Sequence, residues 1–157
     1  MQLHLKIDLT RKIKVYTDGA SRGNPGAAAV GIVILDDEEK EIRTHKRSIG
    51  TATNNFAEYT ALAESVSLLK DLEEPFDEIN FFCDSELVVK QIRGEYKIKN
   101  KELIRLSLEF WKEIKSLNKK FSITHIPRAE NKRADSLANE ALDENKNDSN
   151  GRSLLIN

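Results

Sequence analysis

The chain has 157 residues, of which 39% are hydrophobic and 32% charged, and its net charge is −1. That size fits one domain with a core of its own, and it carries no apolar run of membrane-spanning length and no apolar leader segment. The single cysteine, Cys83, excludes an intramolecular disulfide and a cysteine-based zinc cluster, and the near-neutral charge leaves any polyanion site to local clustering. The expectation is a cytoplasmic monomer with no membrane association and no obligate protein partner.

Residues 1–11 form an N-terminal extension. There Leu3, Leu5, Ile7 and Leu9 alternate with polar residues, which reads either as a leading strand or as a frayed arm. Ile13, Val15 and Thr17 alternate with Lys14, Tyr16 and Asp18, the period-two signature of a strand from Lys12 to Asp18. Gly19, Gly23, Pro25 and Gly26 then predict a reversal into a second strand, Ala27 to Leu35. The acidic stretch at 36–39 reads as a hairpin loop, and Glu41 to Ile49 as a third strand. From Asn54 the period becomes helical, with Glu58, Leu62, Val66 and Leu69 on one face and Asn54 or Asn55 as the N-cap. Pro75 ends that segment, and Ile79 to Cys83 reads as a buried strand. Asp84-Ser85 caps a short helix closed by Gly94, and Asn100 caps a longer one with a stripe of Leu103, Leu106, Phe110, Ile114 and Leu117. Phe121 to Ile126 is a last strand, broken by Pro127. A final helix is expected from Asn131 to about Leu142, and residues 144–157 read as a mobile tail. The order implies an α/β fold: a mixed five-stranded sheet, an antiparallel meander followed by parallel strands, flanked by helices.

Four acidic residues are oddly placed for surface groups. Asp18 ends one strand and Asp84 another, both expected to be interior. Glu58 shares its helical stripe with three aliphatic residues, and Asp135 sits early on the last helix, in phase with Ala138 and Leu142. Each has a bland reading: a turn, an N-cap, a snorkelling side chain, a helix dipole. Together they make better sense as one site. Converging carboxylates without a basic partner repel, divalent cations relieve that repulsion, and oxygen donors favour Mg²⁺ or Mn²⁺ over zinc. Two such ions roughly 4 Å apart clamp the attacking and leaving oxygens of a phosphodiester.

The residues that carry these acids form four motifs in order: Tyr16-Thr17-Asp18-Gly19-Ala20-Ser21-Arg22-Gly23-Asn24-Pro25-Gly26, Thr53-Asn54-Asn55-Phe56-Ala57-Glu58, Asp84-Ser85, and Glu130-Asn131-Lys132-Arg133-Ala134-Asp135-Ser136-Leu137-Ala138. With them the chain resembles the ribonuclease HI (type 1 RNase H) family over a catalytic domain of residues 12–143, and the short-loop members in particular. The resemblance implies an RNase H-like fold and an endonuclease that hydrolyses the RNA strand of RNA–DNA hybrids, leaving 5′-phosphate and 3′-hydroxyl ends. It implies two Mg²⁺ ions, with Mn²⁺ as a substitute. Asp18 would bridge them, Glu58 and Asp84 would complete one coordination shell and Asp135 the other. Many family members carry an auxiliary histidine in a longer loop. Here His125 falls at the end of an apolar strand and reads as structural, so the auxiliary role is assigned to Arg128, which cannot donate a proton at neutral pH and would contact phosphate or an acidic ligand.

For the hybrid itself, the resemblance implies contacts by Gly23, Asn24, Asn54 and Asn55 in the minor groove and by Glu86 near the RNA strand. Lys97, Lys99 and Asn100 belong to a basic edge around Tyr96. The basic protrusion of longer members is absent, because the chain goes from Gln91-Ile92-Arg93-Gly94 to Asn100 with no room for it. Two other readings are a catalytically silent nucleic-acid-binding domain of the same fold and a related DNA nuclease such as a junction resolvase.

Overall fold

The computed structural model describes residues 9–155, with side chains for 9–146. The leading alternation at Leu3, Leu5 and Ile7 and the side chains of Leu154, Leu155 and Ile156 lie outside the described residues. Residues 9–11 belong to no strand. The elements run β1 Lys12–Gly23, β2 Gly26–Leu35, β3 Glu41–Ala52, α1 Asn54–Lys70, β4 Glu78–Cys83, α2 Glu86–Ile92, α3 Lys101–Ser116, β5 Lys120–His125, a 3₁₀ turn Arg128–Glu130, and α4 Lys132–Leu155.

The five strands form one sheet in the order β3-β2-β1-β4-β5. β1, β2 and β3 pair antiparallel as hairpins, while β4 runs parallel to β1 and β5 parallel to β4. The parallel crossovers need helices, and α1 and the α2–α3 pair supply them. The mixed sheet expected from the element order is therefore present.

Period two assigns the faces. Ile13 and Val15 of β1, Ile32 and Ile34 of β2, and Ile79 and Phe81 of β4 pack with Tyr59, Leu62, Val66 and Leu69 of α1 and with Phe110 and Ile114 of α3 in the main core. Phe81 and Phe110 meet edge to face at 5.6 Å, an arrangement favoured by the ring quadrupoles. Residues of the opposite parity, Tyr16, Ala20, Ala29 and Val33, pack against Ala134, Leu137, Ala141 and Leu142 of α4. The sheet thus has α1 and α3 on one face and α4 on the other. The stripe read from sequence on α1 is buried along its length, at 7% exposure for Glu58 and 0–1% for Leu62, Val66 and Leu69.

Two glycines set how closely the helices approach. A Cβ on Gly19 would lie 2.2 Å from the carbonyl carbon of Ala57 in α1. A Cβ on Gly31 would lie 2.1 Å from the carbonyl oxygen of Ala134 in α4. At both points helix backbone rests directly on strand backbone, which only glycine permits.

The structure departs from the sequence reading in four places. β1 does not stop at Asp18: it continues to Gly23, paired with small residues of β2 as far as Gly23–Gly26. β3 likewise runs on to Ala52 rather than Ile49, paired with Gly26. The N-cap of α1 is Thr53, whose hydroxyl accepts from the Phe56 amide, and neither Asn54 nor Asn55 takes that place. α4 passes Leu142 and is helical to Leu155. Sequence periodicity ended α4 where its apolar stripe ends, but charged side chains hold the next turn. Lys46 of β3 lies 3.3 Å from Glu140 and 2.5 Å from Glu144.

Candidate active site

The hydrogen bonds between β1 and β4 end at the Thr17–Cys83 pair. The next residues are Asp18 and Asp84. Two neighbouring parallel strands therefore release an aspartate at the same level, at the carboxyl end of the parallel part of the sheet, where open α/β sheets place their ligand sites. Asp18 is inside β1 by its pairing with Gly31 of β2 but at an edge by its pairing with β4, which explains both its burial and its access to the cleft.

Glu58 reaches the same point from α1, because the Gly19 contact brings the backbone of Ala57 and Glu58 onto β1. One carboxylate oxygen each from Asp18, Glu58 and Asp84 lie within 4.8 Å of one another. Asp135 comes from α4 on the other face and meets Asp18 side chain to side chain. All four line one cleft of about 400 Å³, together with Ser85, Arg128 and Asn139. The four acids expected to converge do so.

The electrostatics follow from that geometry. Asp18 is 4% exposed, and its pKa is pushed up to about 10, first by burial and then by the charges of Glu58 and Asp84. Glu58 is raised to about 8, chiefly by burial and by Asp84, despite hydrogen bonds from the Gly19 amide and the Cys83 thiol that favour its ionised form. Asp18, Glu58 and Asp84 form no ion pair with a cationic side chain among the described residues. Closely spaced carboxylates with only oxygen donors and no internal counter-charge suit a hard divalent cation.

Neighbouring donors hold the acids in place. The Cys83 thiol lies 3.7 Å from Glu58 Oε2. The side-chain amide of Asn139 donates to Asp135 Oδ1 at 3.3 Å. Asn131, 1% exposed, donates from Nδ2 to the Thr17 carbonyl at 2.9 Å and to Asp84 Oδ2 at 3.1 Å. Its own carbonyl accepts from the Asp135 amide at 3.1 Å. One residue thus joins β1, the end of β4 and the start of α4, beside three of the four acids. The sequence marks Asn131 only as a helix start; nothing in its spacing shows that its amide crosses to β1 and β4.

Arg128 lines the cleft, with Nη2 3.9 Å from Asp135 Oδ1 and a side chain 84% exposed. His125 differs from expectation. It is exposed at the end of β5, not a core histidine, because β5 is the sheet's outer strand and leaves that position uncovered. Beside the cleft lies a groove of about 660 Å³ lined by Asn24, Asn54, Asn55 and Asn100, among others, and Asn54 lines both cavities. Asn24 Oδ1 accepts from the Asn54 amide at 3.1 Å, tying the β1–β2 turn to the start of α1. Asn100 Oδ1 accepts from the Glu102 and Leu103 amides as the N-cap of α3. Gly23, Glu86, Lys97 and Lys99 line neither cavity. Gly23 has φ +126° at the turn, and Glu86 is held by Lys90 at 2.9 Å.

Residues 16–141 match the Reverse transcriptase-like family. Over 133 residues the chain is 44% identical to ribonuclease HI of Halobacterium salinarum, a match that covers 85% of this chain and 65% of that one. The ribonuclease H of Clostridium botulinum is 33% identical over 85% of this chain and 97% of its own length. The chain belongs to the type 1 ribonuclease H family. Solved type 1 ribonucleases H share its fold. The Halobacterium salinarum RNase H1 superposes with a TM-score of 0.80 at 43% identity, over 85% of this chain and 98% of that one. LC11-RNase H1, solved in complex with an RNA/DNA hybrid, superposes with a TM-score of 0.76 at 37% identity, over 84% of this chain and 97% of that one. The chain spans less than two thirds of the Halobacterium ribonuclease HI sequence and 36% of a mycobacterial relative. No helix intervenes between α2 and α3.

Proposed function

We propose that this chain is an endonuclease that hydrolyses the RNA strand of RNA–DNA hybrids with two Mg²⁺ ions, Mn²⁺ substituting, and leaves 5′-phosphate and 3′-hydroxyl ends. A monomer acting in the cytoplasm goes with that reading. The observation that carries it is the convergence of Asp18, Glu58 and Asp84 within 4.8 Å in a chain of this family. Bound divalent ions would polarise the phosphate, lower the pKa of a water and stabilise the departing oxygen.

The protein's part is positional. Asp18 interacts with both Glu58 and Asp135, and the carboxylates of Asp18, Glu58, Asp84 and Asp135 would together hold the ions. The Gly19 amide and Cys83 thiol orient Glu58, and Asn131 occupies Oδ2 of Asp84 and leaves Oδ1 for the cleft. Arg128 would act on phosphate or on Asp135 and transfers no proton. Substrate is read by shape and 2′-hydroxyls. The amides of Asn24, Asn54, Asn55 and Asn100 in the groove, with the Gly23 backbone, would meet the minor groove, while Lys97 and Lys99 would meet phosphates. Glu86 near the RNA strand would have to exchange Lys90 for a sugar hydroxyl.

The test is cleavage of a labelled hybrid by the chain and by Asp18→Asn in Mg²⁺ and in Mn²⁺. The expected result is internal cutting of the RNA strand, none of single strands, and a loss on the order of 10²–10³-fold or more in the variant. Binding without cleavage would identify a silent binding domain, and cutting of four-way DNA junctions a resolvase.

A further inference from the structure

Two guanidinium groups line the cleft that holds the four carboxylates, those of Arg22 and Arg128. Arg128 stands off its nearest acid at 3.9 Å. Arg22 is held closely, by a residue that the nuclease reading leaves without a role: its Nη2 lies 2.6 Å from Oδ1 of Asp143. Two of the departures from the sequence pattern, at β1 and at α4, create the pair. β1 runs on past Asp18, so Arg22 sits in the ladder opposite Ala27 rather than in a loop. α4 runs on past Leu142, a residue that lines the cleft, so Asp143 follows it within the helix and meets Arg22.

The pair is exposed, with side chains 42% and 64% open to solvent. An ion pair in water contributes little to stability, so folding does not explain it well. A guanidinium is better matched to phosphate, which it binds through two parallel hydrogen bonds with charge assistance. The cleft gathers four carboxylates, and a polyanion entering it meets few compensating cations. A phosphate next to the reacting one would find Arg22 already placed on the wall and, among the described residues, tied to one solvated aspartate.

We propose that Arg22 is a phosphate-contacting residue of this site and that Asp143 is its internal competitor, occupying the guanidinium in the free protein and exchanged for a backbone phosphate when substrate binds. The proposal rests on the hybrid-nuclease reading. It makes the first turn of α4 beyond the apolar stripe a setting for substrate affinity. Removing the aspartate should strengthen binding, the opposite of what loss of a structural ion pair does.

The test measures hybrid affinity against salt concentration for the full chain carrying Asp18→Asn, with Arg22→Ala, Asp143→Asn and the combined change added, and melting temperature for each. Arg22→Ala is expected to weaken binding roughly 3–10-fold and to lower the salt slope by about 0.7–0.9, one phosphate contact. Asp143→Asn is expected to strengthen it about 2–5-fold, and the combined variant to match Arg22→Ala. Equal loss of melting temperature in both single variants with unchanged affinity would overturn the proposal, as would additive effects in the combined variant. If the unsubstituted chain cleaves hybrid and Arg22→Ala leaves affinity and slope unchanged, only this proposal falls. If the unsubstituted chain neither binds nor cleaves hybrid, the nuclease reading falls and takes this proposal with it.

Discussion

Asp18 and Glu58 are acids held where ionisation is unfavourable, at pKa values of about 10 and about 8 against an ordinary carboxylate value near 4. The consequence for stability has a definite sign. Between the ordinary value and the raised one, the folded chain binds more protons than the unfolded chain, so the free energy of unfolding falls as pH rises. Without divalent ions, the melting temperature should decline from pH 5 to pH 9, and Asp18→Asn should flatten that decline. At pH 8 the variant should be more stable by about 1–2 kcal/mol, or roughly 2–8 °C. Mg²⁺ should raise the melting temperature of the original chain, more at pH 8 than at pH 5 because protons compete for the same oxygens, and should do little for Asp18→Asn. Calorimetry with and without the ion measures all of this. Arg128 and His125 give a second test at this scale. Arg128 lines the cleft and His125 does not, so Arg128→Ala should reduce hybrid turnover about tenfold and more than His125→Ala does. Steady-state rates with hybrid substrate decide it, and a larger loss from the histidine change reverses the assignment.

At the scale of elements, the site depends on two bare-backbone contacts. Gly19 lets α1 lie on β1, and Gly31 lets α4 lie on β2 directly opposite Asp18 in the ladder. A methyl group at Gly31 cannot be absorbed by a flexible side chain, since the carbonyl of Ala134 stands in its place. Gly31→Ala should therefore push α4 outward and carry Asp135 away from Asp18. Overpacking of this kind costs about 1–3 kcal/mol, and turnover should fall further than hybrid affinity does, because the site's ligands separate while the groove on the α1 side stays intact. A thermal melt with kinetics of the same variant separates the two effects. The N-cap of α1 works in the other direction. Thr53 takes the capping bond, which releases the side chains of Asn54 and Asn55 toward the groove.

For the molecule as a whole, a net charge of −1 gives no general attraction for nucleic acid, so affinity has to come from where the cations stand. No helix among the described residues is long and apolar enough to cross a membrane. Lys97 and Lys99 are exposed in the segment between α2 and α3, where Lys90 also stacks over the Tyr96 ring at 4.9 Å. If they contact phosphates, Lys97→Gln with Lys99→Gln should reduce the slope of log affinity against log salt by roughly 1.4–1.8 and weaken binding to all hybrid sequences alike. An unchanged slope would leave the edge as ordinary solvated surface.

Element order, sheet class and the four carboxylates were legible from the residues themselves, because they rest on local rules. Alternation marks a strand, a 3.6-residue stripe marks a helix, and Glu58 stood out by sharing that stripe with Leu62, Val66 and Leu69. Those signals need no knowledge of what packs against them. The remaining features belong to the assembled sheet. That β1 runs to Gly23 depends on its ladder with β2, and the turn of α4 just past Leu142 is fastened by Lys46 rather than by an apolar stripe. The exposure of His125 is settled by β5 having a neighbour on one side only. Asn131 gains its position from a bond to Thr17, 114 residues away in the chain. Contacts at such separation leave no periodic trace in a sequence, since they are set by which strand lies beside which and not by any residue's near neighbours.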